Sequence, residues 1–130
     1  MAKTITVYLT YQAPNLMWRN SSSDSWQVME ETSATANATA GDTVVWVVSD
    51  DTIKKIKNIQ VGKKTKIDSG DSWKDIWNQK PKKVSDSQWS GITSDTMRRG
   101  DADGYDITVQ IKNESDVTVD PTVIITDPPR

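Results

Sequence analysis

The 130-residue chain contains neither cysteine nor histidine. This excludes disulfides, thiol chemistry, structural zinc, copper sites built on those residues and every catalytic triad that uses histidine. The length predicts a single domain, residues 1–130, large enough to bury a core without disulfides or a bound metal. Sixteen basic and eighteen acidic residues leave a net charge of −2, so the molecule as a whole has no strong attraction for nucleic acid or acidic membranes.

The charge is unevenly distributed along the chain. Residues 54–83 hold ten lysines against three aspartates, a local charge of +7 that leaves −9 for the rest. A run of like charge is usually a solvated face, and this one has no arginine and only two aromatic residues. We therefore expect no nucleic-acid partner. No run of about 18 apolar residues and no apolar signal region occurs, so we expect no membrane association and a cytoplasmic location.

The first third of the chain is predicted to form strands. Residues 4–11 alternate apolar and polar side chains, which predicts a half-buried strand. Residues 26–30 suggest a short strand. Residues 32–40 alternate alanine with threonine and asparagine; a helix could use these alanines, but the period of two favours a strand.

The most apolar run, residues 43–48, follows the turn dipeptide Gly41-Asp42. Its apolar side chains point both ways: Val44, Trp46 and Val48 to one face, Val45 and Val47 to the other. A strand that is apolar on both faces is predicted to be central in its sheet and covered on both sides.

The middle of the chain is rich in lysine and tryptophan. Residues 53–61 intersperse isoleucines with lysines, which predicts an edge strand. Residues 72–78 place Trp73 and Trp77 four positions apart, on one face of a predicted short helix. Residues 85–100 are polar and predict a long loop.

The C-terminal third returns to strands. Residues 101–104 predict a turn, and residues 105–112 alternate as a strand should. Residues 117–119 and 122–126 predict the last strand, broken at Asp120-Pro121. About seven short strands with polar turns predict an all-β protein, an antiparallel two-sheet Greek-key sandwich with one short helix.

Two stretches resemble known families. The run Ala38-Thr39-Ala40-Gly41-Asp42-Thr43-Val44-Val45-Trp46 resembles the Gly-Asp-Thr-Val strand start of cupredoxin-like sandwiches. Residues 105–112 followed by Asp120-Pro121-Thr122-Val123-Ile124 resemble the end of the bacterial inclusion-body protein family (the AidA/PixA type), whose N-terminal Ile-x-Val strand is similar to Ile5-Thr6-Val7. These pieces cover about half of the chain, in the family's order.

The resemblance implies a cupredoxin-like or immunoglobulin-like fold. The His, Cys and His copper ligands of true cupredoxins have no counterpart in this sequence. The resemblance therefore implies no electron-transfer site and no cofactor, and it implies the self-association or interaction role of an inclusion-body protein.

One aspartate-rich segment resembles a calcium-binding loop. Hard oxygen ligands at alternate positions, with a glycine for the bend, suit Ca²⁺, and Asp101, Asp103 and Asp106 offer them around Gly104. An EF-hand would place a glutamate where Lys112 stands. The interpretation as a solvated turn is therefore favoured, and no metal is expected.

The tryptophans are the remaining candidates for a site. The chain has six Trp and no Phe, so most of the rings are expected to supply core bulk. If a binding face exists, Trp73, Trp77 and Trp89 are its predicted members, because exposed indole faces stack on sugar rings.

Three hypotheses for function follow. The first is a non-enzymatic, metal-free sandwich that forms homo-oligomers or serves an interaction role. The second is a module that binds carbohydrate or another small ligand through the three tryptophans. The third, a hydrolase using paired carboxylates, is the least supported because no acidic residue sits in an apolar sequence context, so we expect no enzyme.

Overall fold

The computed structural model describes residues 3–30, 34–63, 76–96 and 102–127. Within these ranges the chain forms strands and no helix. The strands are β1 (Thr4–Gln12), β2 (Asn15–Arg19), β3 (Gln27–Val28), β4 (Ala34–Thr39), β5 (Thr43–Val48), β6 (Ile53–Lys63), β7 (Trp77–Ser85), β8 (Gln88–Thr93), β9 (Ala102–Ile111), β10 (Val117–Val119) and β11 (Thr122–Asp127).

The first sheet has six strands in the order β3-β2-β1-β5-β8-β7. Strands β1 and β2 form an antiparallel hairpin, as do β7 and β8, while β1 and β5 run parallel. Strand β5 therefore lies in the middle of the sheet, which confirms the central position predicted for residues 43–48.

The second sheet is built on β9. Strand β6 pairs along one side of β9, and β10 and β11 pair with successive parts of it on the other. Between those two short strands the carbonyl of Pro121 accepts the Tyr105 N–H at 3.0 Å, so the break predicted at Asp120-Pro121 is confirmed. Strand β11 also pairs in parallel with β4.

The all-β class and the two sheets are confirmed, but four finer predictions are wrong. The pairing is not antiparallel throughout, because β1–β5 and β4–β11 are parallel. The helix over 72–78 is contradicted at Trp77 and Asn78, which begin β7; residues 72–75 lie outside the described ranges. The long loop over 85–100 is instead the β7–β8 hairpin as far as Thr93, and the turn over 101–104 is strand from Ala102 onward.

A buried hydrogen-bond node joins the two sheets. The hydroxyl of Tyr105 on β9 accepts the Trp46 indole Nε1 at 3.0 Å and shares a hydrogen bond with the Thr35 hydroxyl on β4. The two rings meet edge to face with centroids 5.3 Å apart. Because Trp46, Tyr105 and Thr35 are all fully buried, the node fixes the spacing of the sheets in a core without phenylalanine.

Strand β6 shows how a period-three pattern can belong to a strand. Ile53, Ile56 and Ile59 are all buried although they are three residues apart, whereas an ideal strand repeats every two. Register shifts fall between these isoleucines, at Lys54 and Lys57, which have no partner on β9. Each β-bulge inserts one extra residue and returns the next isoleucine to the core. The edge position predicted for this segment is confirmed, since among the described strands β6 pairs only with β9.

The Gly-Asp-Thr segment forms a buried turn between β4 and β5. Gly41 has a φ of 90°, which favours glycine. The fully buried carboxylate of Asp42 accepts the backbone N–H groups of Lys3 at 3.0 Å and Thr39 at 2.8 Å. The Thr93 N–H binds the Asp42 carbonyl at 2.9 Å. The motif therefore ties β1, β4, β5 and β8 together at one end of the sandwich.

Candidate interaction surface

The side of the six-stranded sheet that faces away from the core is the most distinctive surface of the described chain. Strand register places its residues in rows across β2, β1, β5 and β8. We call this surface the outer face. It consists of Thr6, Tyr8, Met17, Arg19, Thr43, Val45, Val47, Gln88, Ser90 and Ile92, all of them partly exposed.

The central strand shows why this face matters. Val44 and Trp46 are fully buried, whereas Val45 and Val47 on the other side of β5 stay partly exposed. The prediction that residues 43–48 are covered on both faces is therefore wrong. Two layers enclose one interior, so the second apolar face of β5 lies outside it.

The middle of the outer face carries no charge. At one margin Lys82 on β7 pairs with Ser90. At the other margin is Arg19 on β2, whose guanidinium lies 4.1 Å above the centre of the Trp26 ring. The same side chain donates from Nη1 to the Asp24 carbonyl at 3.3 Å. These contacts hold the charge at the rim, so that the middle of the face consists of valine, threonine, tyrosine, serine and isoleucine.

The adjacent side of the molecule is strongly basic. We call it the lysine side; it comprises Lys54, Lys55 and Lys57 on β6 and Lys80, Lys82 and Lys83 on β7, the edge strands of the two sheets. The strands meet where the Ile56 N–H binds the Asp86 carbonyl at 2.8 Å. Lys83 hydrogen-bonds the Asp86 carboxylate at 2.8 Å, and its charge, with a smaller contribution from Lys55, holds the pKa of Asp86 below its ordinary value.

Both edges of the lysine side carry features that block strand addition. Register shifts interrupt β6 and β7, and Pro81 removes a backbone donor from the interior of β7. Lysines, bulges and proline are the features by which natural edge strands avoid pairing with other chains. The six lysines of the lysine side are thus explained structurally, as protection of two neighbouring edges.

An open depression lies at one end of the sandwich. It has a volume of about 810 Å³ and is formed by the loops β5–β6 and β9–β10 around Ile53 and Ile111. A smaller hollow of about 320 Å³ adjoins it near Tyr11. The Lys112 ammonium lies 3.4 Å from the Asp51 carboxylate at its lip, with both side chains largely exposed. The opposite charges offset one another, so this depression shows no preference for a charged ligand.

Beside the depression, Asp50 organises the turn into β6. Its carboxylate accepts hydrogen bonds from the hydroxyls of Thr10 and Thr52 and from the Thr52 N–H. Partial burial acts to raise the pKa of Asp50, but these hydrogen bonds outweigh it and the pKa lies below its ordinary value. A carboxyl held in its charged form by three donors is a structural anchor of the turn; a general acid would need the opposite shift.

The tryptophans predicted to form a binding face lie elsewhere than expected. Trp77 and Trp89 are in strands β7 and β8 and are only 8% and 9% exposed. Trp77 packs 6.2 Å from Trp46, centroid to centroid, and donates from Nε1 to Asp103 at 2.9 Å. Neither ring presents a face on which a sugar could stack. Trp73 lies outside the described residues.

The candidate calcium ligands are not gathered into a loop. Asp103 is buried within strand β9, where its carboxylate accepts the Trp77 indole hydrogen bond, and Asp106 lies three residues further along the same strand. Asp101 is outside the described ranges. Across the parts of the chain that the structure does describe, no three acidic side chains are grouped to hold a metal ion.

The outer face could not be recognised in the sequence as a site. Its only signal is that Val45 and Val47 alternate with core residues in the most apolar run of the chain, which is equally typical of a strand covered on both sides. The rows that join these valines to Tyr8 and Ile92 depend on strand pairing, which a single sequence does not specify.

Comparison with known proteins adds no relative. No protein-family model matches the chain, and a search of curated proteins finds no significant match. Within the described ranges, no helix has the length and apolar character needed to cross a membrane.

Proposed function

We propose that this protein is a non-enzymatic, metal-free β-sandwich whose role is to associate with other protein molecules, its own copies first. The observation that carries the proposal is the outer face, a sheet surface with an uncharged middle whose central valines, Val45 and Val47, remain partly exposed. In a chain with 34 charged residues among 130, the charged side chains of this face, Arg19 and Lys82, lie at its two margins. Depletion of charge at the centre of a patch is typical of interaction sites.

The resemblance to the inclusion-body protein family supports the same role. It rests on the order of the Ile-x-Val, Gly-Asp-Thr-Val and Asp-Pro segments along the chain. The proposal extends to the finer fold, a Greek-key cupredoxin-like sandwich without copper ligands, and to a cytoplasmic location. The alternative of a carbohydrate-binding role loses two of its three predicted tryptophans, since Trp77 and Trp89 are inside the core.

Sedimentation equilibrium of the purified chain tests the proposal. We expect the weight-average mass to rise reversibly above that of the monomer as concentration increases from roughly micromolar to millimolar, the range in which small interfaces associate. A mass equal to the 14.5 kDa monomer over the whole range would contradict the proposal.

A further inference from the structure

We infer that the outer face is the self-association surface and that its partner is a second copy of this chain, packed face to face about a two-fold axis. The inference rests on the proposed function and adds to it the surface, the partner and the symmetry. It begins from Val45 and Val47, which lie in the middle of the face on the central strand and keep part of their apolar surface in water.

The shape of the face suits a copy of itself. Two sheet faces can pack with their strands nearly aligned and about 10 Å apart, with side chains interdigitating between them. A two-fold axis presents the same patch on both molecules, and the uncharged centre of this patch suits a copy of itself because no like charges meet there. The arginine at the margin, stacked on Trp26, gives the apolar centre a polar rim.

The area available sets the expected strength. Four strands at about 4.8 Å spacing, each contributing about six residues at about 3.3 Å, give a face of roughly 400 Å² in projection. Two such faces bury on the order of 800 Å², below the roughly 1,200 Å² at which specific stable interfaces begin. The dimer should therefore be weak and reversible, and should form only in concentrated solution.

The lysine side opposes pairing through the edges of β6 and β7. Edge-to-edge pairing would bring the lysine side of one copy against that of another, where like charges repel and bulges interrupt the ladder. The competing arrangement is head to tail, with the lysine side of one copy on the acidic remainder of the next. That contact would depend on charge and would weaken as salt is added, whereas association through the outer face would not.

The experiment compares sedimentation of three variants with the wild type. Val47→Lys puts a like charge at the middle of both faces and should weaken dimerisation at least about tenfold, because an unpaired charge would be buried. Ser90→Lys does the same from a partly exposed position, because Ser90 pairs with Lys82 across the strands and the new charge has a like charge as its neighbour. Asn58→Lys is the matched control: Asn58 is exposed on β6, which belongs to the other sheet, and this variant should dimerise as the wild type does.

Circular dichroism and thermal unfolding confirm that each variant keeps the wild-type fold. The inference is supported if both face variants lose dimerisation, the control keeps it, and the wild-type dimer persists from about 0.05 to about 0.5 M salt. It is overturned if the face variants associate as the wild type does, or if salt dissociates the dimer. Either of those results leaves the proposed function standing, whereas a wild type that stays monomeric removes both.

Discussion

Trp46 of the six-stranded sheet donates its indole hydrogen to the hydroxyl of Tyr105 in the five-stranded sheet, at 3.0 Å. The bond links the central strand of one layer to the central strand of the other. Thr35 completes the node from β4, so three strands meet at one buried oxygen. This buried contact is one of those that hold the two layers together.

Replacing Tyr105 with phenylalanine removes that oxygen and little else. The Trp46 indole would then have no partner in a fully buried position. We expect a loss of about 1–3 kcal/mol in the free energy of unfolding, because an unsatisfied buried donor costs its full desolvation penalty. Urea denaturation measures the loss.

Tyr11→Phe is the matched control for Tyr105→Phe. Tyr11 lies on β1 and is only partly buried, so loss of its hydroxyl should change the free energy of unfolding by less than about 0.5 kcal/mol. Equal effects of the two substitutions would show that the buried hydroxyl of Tyr105 contributes no more to the free energy of unfolding than the partly exposed one of Tyr11.

The buried hydroxyl of Tyr105 predicts that the folded protein loses stability at alkaline pH. Burial raises the pKa of Tyr105 above its ordinary value of 10.0, although the hydrogen bonds from Thr35 and Trp46 act the other way. The unfolded chain therefore releases this proton at lower pH than the folded chain does. The free energy of unfolding should be unaffected below about pH 10 and should fall as pH rises towards the raised pKa.

The alkaline effect is isolated by subtracting the pH profile of Tyr105→Phe from that of the wild type. The difference should stay constant up to about pH 10 and then shrink by at most about 1.4 kcal/mol per pH unit. Parallel profiles through pH 11 would contradict the burial of this hydroxyl.

Gly91 is required by a close approach of two strands. A Cβ at this position would lie 2.9 Å from the backbone nitrogen of Pro81 and 3.0 Å from the carbonyl oxygen of Gln79. Since neither is the end of a flexible side chain, Gly91→Ala should cost about 1–3 kcal/mol through overpacking. Thermal unfolding measures this cost, and Ser90→Ala, the neighbour on the outer face, should be nearly neutral. A neutral Gly91→Ala would mean that β7 and β8 lie further apart.

Asp50 predicts a loss of stability at acid pH, as the pH falls. Its pKa lies below the ordinary 3.8 because hydrogen bonds from Thr52 and Thr10 outweigh the effect of partial burial. The stabilisation is complete above the unfolded pKa and is lost as pH falls through the lowered one. The wild type should therefore lose more stability than Asp50→Asn between about pH 5 and pH 2. An acid denaturation profile that is steeper in the variant would contradict this role.

Much of the fold follows from local patterns in the chain. The alternation in residues 4–11 and the long apolar run at 43–48 identify β1 and β5, because both patterns have the strand period. The isoleucines of β6 repeat every three residues, which neither a regular strand nor a helix explains; only the bulges at Lys54 and Lys57 reconcile them.

The errors share a physical cause. Trp73 and Trp77 stand four apart, as on a helix, but Trp77 begins an edge strand because its ring packs near Trp46 and its indole N–H reaches Asp103. The sequence pattern does not indicate strand β8, because two of its inward-facing residues are not large apolar ones. Gly91 is buried where β7 approaches closely, and Thr93 is buried where its hydroxyl donates hydrogen bonds. Tertiary contacts determine the secondary structure of both segments, and the local sequence pattern carries no information about those contacts.

The most direct test of the account is a dilution series followed by methyl NMR of the valines. If the outer face is where copies meet, the methyl signals of Val45 and Val47 should shift together with concentration, while those of Val117 on β10 of the other sheet stay fixed. Shifts confined to Val117, or no concentration dependence at any valine up to about millimolar protein, would contradict the account.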